Sequence, residues 1–219
     1  MGPMGELIPD GTFAKLKMTI RPGGVNGGSP LDAGLLKASV SSDAKMLDCE
    51  FTVIEGPFIR KKLWQNYTVS GGKLNKDGMS IAWGISKSAF RAMIDSALGL
   101  DPKDESDVAK TKRRLDGLKH LDGITFVARI MVEPSSDPRY KDKNIIANVV
   151  CANEPQYAAV MRGECPPAEP IGAKPRKAAA TVSGAQGTMA PAWGNGAAIT
   201  TKEKPGGSPA APVPAWLNG

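Results

Sequence analysis

Lys61-Lys62-Leu63-Trp64-Gln65-Asn66-Tyr67-Thr68 interleaves cations with aromatic rings on a segment that reads as a strand. Single-stranded nucleic acid calls for both, since cations neutralise phosphates and flat rings stack on unpaired bases. The same residues also suit an ordinary strand with a solvated basic face, because Trp and Tyr favour strands. A second run, Asp137-Pro-Arg-Tyr-Lys-Asp-Lys-Asn, offers Arg139, Lys141 and Lys143 to phosphates and Tyr140 to a base. It equally suits a polar hairpin between two strands.

Enzyme chemistry finds little support in the sequence. The one histidine, His120, sits in Leu118-Lys-His-Leu at the end of a charged helix and reads as a surface or capping residue. No Cys/His cluster has metal-ligand spacing, and no Walker A or Gly-x-Ser-x-Gly pattern occurs. Gly23-Gly-Val-Asn-Gly-Gly lacks a Lys-Ser/Thr partner and reads as a flexible loop between the first two strands. The expectation is a non-enzymatic protein with no cofactor and no metal.

The elements that must position these residues follow from periodicity. Phe13 to Ile20 alternates, with Ala14, Leu16, Met18 and Ile20 on one side and Lys15, Lys17 and Thr19 on the other. Leu47, Cys49, Phe51 and Val53 alternate against Asp48, Glu50 and Thr52. A third strand spans about Arg60 to Val69, with Lys62, Trp64, Asn66 and Thr68 outward; Gln65 breaks its inward pattern. Ser86 reads as a helix N-cap, with Ile85 and Phe90 spaced as a hydrophobic staple and Gly99 as the stop. Asp101-Pro102 opens a second, charged helix on which Lys112-Arg113-Arg114 reads as a solvated face. Strands from Ile124 to Val132 and from Asn144 to Cys151 follow, then a short helix after Glu154-Pro155. Three strands, helices and two strands is the order of a five-stranded OB-like barrel with helices between strands 3 and 4. The expected fold class is therefore mainly β.

Composition divides the chain. Residues 1–163 carry the periodicity, whereas 164–219 are rich in Pro, Gly and Ala and read as a disordered tail. The tail contains Pro-Ala-Trp twice, and Trp193 and Trp216 are candidate anchors for a protein partner. Among 219 residues, 28 Lys and Arg against 22 Asp and Glu give a net charge of +6, which permits a polyanion partner without demanding one. Cys49, Cys151 and Cys165 form no Cys-x-x-Cys pair, and a reducing cytoplasm fits an odd count. No apolar stretch of about 18 residues suggests a membrane span, and the N-terminus does not read as a secretory signal.

Gly56-Pro-Phe-Ile-Arg-Lys-Lys-Leu-Trp, Ser88-Ala-Phe-Arg-Ala-Met-Ile-Asp-Ser-Ala, Leu121-Asp-Gly-Ile-Thr-Phe-Val-Ala-Arg-Ile and the 137–144 run together resemble a family of phage and prophage proteins. Some members of that family are described as single-stranded DNA-binding proteins. The resemblance covers about Gly11 to Val160 and centres on Ile59-Arg60-Lys61-Lys62-Leu63-Trp64, where the family shows a Gly-Arg-Lys/Arg-Leu-Trp type motif. The Gly expected before the basic residues is replaced by Ile59 or shifted by one position. The resemblance implies a role in phage replication or recombination inside a bacterial host.

The candidate nucleic-acid-binding residues are Lys15, Lys17, Arg21, Arg60, Lys61, Lys62, Trp64, Arg129, Arg139, Tyr140, Lys141 and Lys143. The expected partner is single-stranded DNA, with RNA open, bound largely without regard to sequence. An adaptor recruiting a replication or recombination enzyme through the tail Trp motifs is the alternative, and oligomerisation stays open. Asp48 and Glu50 fall on the outward side of the second strand, where they would oppose phosphate.

Overall fold

A computed structural model describes residues 6–172, which form one six-stranded antiparallel sheet with three α-helices. The strands are β1 (Thr12–Arg21), β2 (Lys37–Ala38), β3 (Lys45–Val53), β4 (Lys62–Ser70), β5 (Thr125–Glu133) and β6 (Lys143–Val150). The helices are α1 (Ile81–Leu98), α2 (Asp107–Arg113) and α3 (Pro155–Met161). Trp193, Trp216 and most of the expected tail lie outside the described residues.

β1 is central, pairing with β3 on one side and β5 on the other, so Leu16 stands opposite both Val53 and Phe126. β4 takes the far side of β3, and β6 the far side of β5. The sixth strand is a correction to the expected five. β2 is two residues long, pairs with the start of β3, and is too short for alternation to reveal. No ladder joins the edge strands β4 and β6 among the described residues, so the sheet is open. Across that seam the Ile146 N–H donates to Gln65 Oε1 at 3.2 Å. The residue that broke the inward pattern of β4 thus supplies an acceptor to an otherwise unladdered edge.

The alternating apolar positions meet in one core. Phe51 packs edge-on against Phe126 (5.9 Å between centroids) and Tyr67 (6.3 Å), and Tyr67 meets Phe90 of α1. Each such fully buried side chain contributes about 1.5–3 kcal/mol relative to exposure. α1 is pinned to the sheet by Ser96, whose hydroxyl donates to the Val150 carbonyl at 2.7 Å and accepts from Val127 N–H at 3.0 Å.

α1 and α2 both start elsewhere than their sequence signals suggest. α1 is capped by Ser80, which accepts from Trp83 N–H, and Ser86 lies buried one turn inside, donating to Ala82 O. Gly84 in the first turn disguised that start. Gly99 does close α1, in the left-handed region at φ 64°. α2 is capped by Ser106, while Asp101 instead accepts from Lys103 N–H in a turn. Arg113 is buried rather than solvated. Its Nε sits 2.5 Å from Asp95 Oδ1, and its other nitrogens donate to the Asp101 and Asp104 carbonyls. The basic run therefore contains the clamp that holds the α1–α2 connection.

The Gly-rich loop is anchored. Ser29 Oγ donates to Asp116 O at 2.7 Å, and Asp32 accepts from Lys119 N–H at 3.0 Å. A Cβ on Gly27 would meet Asp32 Cβ at 2.5 Å, which explains the glycine by close approach. Beyond the expected boundary at Gly163, residues up to 172 lie along the body. Glu169 N–H donates to Gly11 O, and Asp10 accepts from Ile171 N–H at 2.7 Å.

Candidate nucleic-acid interface

The outward side chains of β1, β3 and β4 form a grid set by strand register. One row is Lys62–Thr52–Lys17, the next Trp64–Glu50–Thr19, and the third Asn66–Asp48–Arg21. Rows are about 7 Å apart, twice the rise of a strand residue. Trp64 lies in the middle row, 49% exposed and held by direct cross-strand pairing to Glu50. Lys37 of β2 reaches the grid, 3.5 Å from Asp48.

The two carboxylates do lie on this face, and both are paired. Glu50 Oε1 is 2.6 Å from Lys62 Nζ, and Glu50 Oε2 accepts from Trp64 Nε1–H at 3.1 Å. The Lys62 hydrogen bond is the main cause holding the Glu50 carboxyl below its ordinary range, with Trp64 adding to it. Asp48 sits between Arg21 (3.9 Å) and Lys37 (3.5 Å). Four cations against two carboxylates leave the grid positive. A groove of about 520 Å³ opens on this face, lined by Arg21, Lys37, Asp48, Trp64, Asn66, Glu133 and Lys143 among others.

The remaining candidates divide into three groups. Arg60 and Lys61 occupy the β3–β4 turn, where Arg60 is exposed at φ 69° and Lys61 donates to the Glu6 carbonyl. In the β5–β6 hairpin, Tyr140 is 69% exposed, Arg139 pairs with Asp137 at 2.6 Å, Lys141 is exposed, and Lys143 pairs with Glu133 at 3.0 Å. Hydrogen bonds from Arg139 hold the Asp137 carboxyl below its usual range.

Lys15 and Arg129 do not join the open face. Lys15 pairs with Glu55 at 2.8 Å and is mostly buried. Arg129 lies 5.7 Å over the Phe13 ring and donates to the Glu169 carbonyl. This end of the sheet is closed by α3, whose Val160 and Tyr157 pack with Phe13, Val127 and Val150, and by the segment around Glu169. Sequence alternation put both cations on the outward side correctly, but it could not reveal what covers that side. Conversely it missed Lys37, because a two-residue strand carries no period.

Burial pushes the Cys49 thiol far up and the Cys151 thiol to about 11. Among the described residues no group of three His, Cys, Asp or Glu side chains could hold a metal ion, and no helix is long and apolar enough to cross a membrane. No protein-family model, curated protein or solved structure matches the chain.

Proposed function

We propose that the Trp64 grid binds single-stranded DNA largely without regard to sequence, and that the sheet is a partly open OB-type barrel with β2 as an addition to its first long loop. The observation that carries the reading is the half-exposed Trp64 ring at the centre of a face that places Lys17, Arg21, Lys37 and Lys62 around it. The ring stacks on a base while the cations take the flanking phosphates. The Glu50 hydrogen bond orients the indole in advance, which lowers the entropy cost of stacking.

Strand connectivity supports the barrel reading. β1, β3 and β4 form a meander, β1 returns to pair with β5, and β6 closes toward β4 through Gln65. In OB folds the face of the second and third long strands, with the first and last inter-strand loops, binds oligonucleotides. Those parts here are the β3–β4 face, the loop before β3 and the hairpin bearing Tyr140. The resemblance to phage and prophage proteins supplies the context of replication or recombination.

The test is competition. A labelled oligo-dT bound to the full chain is challenged with unlabelled single strand or with duplex of equal length, at low and moderate salt. The reading expects the single strand to displace the label at lower concentration, with affinity falling steeply as salt rises. Equal displacement by duplex would overturn it.

A further inference from the structure

The end of the sheet beyond the grid carries the same kinds of side chain, under a cover. On β1 the outward column continues from Lys17 to Lys15 and Phe13, and Arg129 of β5 stands opposite Phe13. Lys15 is one row, about 7 Å, from Lys17 of the grid. Residues 164–172 cross this end. The Glu169 carbonyl accepts from the Arg129 guanidinium, and the Glu169 carboxylate lies 3.8 Å from it. An apolar cavity of about 270 Å³ is lined jointly by Phe13, Lys15 and Phe58 of the body and by Glu164, Cys165 and Ala168 of the covering segment.

The cover is lightly held. Every residue from 164 to 172 is exposed except the half-buried Pro166, so little apolar surface anchors it, and the cavity shows that it does not fill the space it spans. Its ties are hydrogen bonds. Glu169 N–H donates to Gly11 O, Arg129 and Gln156 donate to Glu169, and the N–H groups of Ile171 and Gly172 donate to Asp10. On release such bonds are exchanged for bonds to water, and segments with few buried apolar contacts open without global unfolding.

We propose that this covered end is an extension of the nucleic-acid site and that residues 164–172 are a strap that closes it, setting a carbonyl and a carboxylate where Arg129 would take a phosphate. Release frees the Arg129 donors and turns the cavity into a groove that presents Lys15 to a phosphate and the Phe13 and Phe58 rings to a base. The inference rests on the reading that the grid binds single strands. In the closed form Arg129 is engaged by the strap, so Arg129→Ala alone is not expected to weaken binding.

The test compares full-length variants in oligo-dT titrations, with circular dichroism confirming the fold of each. Glu169→Pro removes both the N–H bonded to Gly11 and the carboxylate beside Arg129, whereas Glu169→Gln removes only the charge. Glu169→Pro should bind about tenfold more tightly than wild type through the added phosphate contacts, Glu169→Gln should gain much less, and adding Arg129→Ala to Glu169→Pro should abolish the gain. A Cβ on Gly56 would lie 3.3 Å from Cys165 Sγ, so Gly56→Cys supplies a thiol that can tie the strap shut. In Glu169→Pro combined with Gly56→Cys, oxidation should reverse most of the gain and reduction restore it. Equal affinity of Glu169→Pro and wild type, an equal gain in Glu169→Gln, or a gain that survives Arg129→Ala would overturn the inference. Failure of every form, wild type included, to bind oligo-dT would instead overturn the reading of the grid, and the inference with it.

Discussion

Trp64 Nε1 donates to Glu50 Oε2 at 3.1 Å, while the other oxygen of the same carboxylate holds Lys62 at 2.6 Å. One acidic residue thus orients the ring and restrains a cation that the proposed ligand would use. Glu50→Gln should release Lys62 and remove a negative charge from the face. Oligonucleotide affinity is expected to rise, with a salt dependence steeper by roughly one phosphate contact. The folded Glu50 pKa lies below the reference 4.5. Its stabilising contribution is therefore present above about pH 4.5 and lost as pH falls through the lowered value. Acid titration of wild type and variant should show that part of the acid limb missing in Glu50→Gln.

Arg60 carries the positive φ of the β3–β4 turn, 69°, a region that costs a non-glycine residue about 1–2 kcal/mol. It directly precedes Lys61-Lys62-Leu63-Trp64. Arg60→Gly is expected to raise stability by about 0.5–1 kcal/mol after the greater entropy of unfolded glycine is counted. If Arg60 contacts phosphate, affinity should fall in the same variant. Thermal melts and an oligo-dT titration check the two halves.

Gln65→Leu should loosen the seam between β4 and β6. The Ile146 N–H would lose its side-chain acceptor, at a cost of about 1–3 kcal/mol if water cannot replace it. Hydrogen exchange should show faster exchange at Ile146, with the amides of the β1–β3 ladder unchanged.

Arg113→Ala should destabilise by about 3 kcal/mol, because it leaves the buried Asp95 carboxylate short of a partner. Arg91, 3.0 Å from the other oxygen, holds the loss at the lower end. Urea unfolding measures it. Oligonucleotide binding by the folded fraction should not change.

Period-two alternation made the five long strands legible, because one face of each is buried against a shared core. The central row of the grid was legible for the same reason, since Trp64, Glu50 and Thr19 all fell on outward positions. What failed depended on partners distant in sequence. Lys15 and Arg129 look like free cations until α3 and the Glu169 segment are seen to cover them. Arg113 looks solvated until Asp95, eighteen residues earlier, is brought beside it. Gln65 looked like a flaw because its role lies on β6. The helix starts were missed because Ser80 and Ser106 compete with Ser86 and Asp101 for the same local signal, and tertiary packing decides between them.

The most direct test of the central claim is a fluorescence-anisotropy titration of labelled oligo-dT with wild type, Trp64→Ala and Arg129→Ala at one fixed low salt concentration. The account expects Trp64→Ala to bind roughly ten- to hundredfold more weakly, the loss of one stacked base, and Arg129→Ala to bind like wild type. Undiminished affinity in Trp64→Ala, or an equal loss in Arg129→Ala, would contradict it.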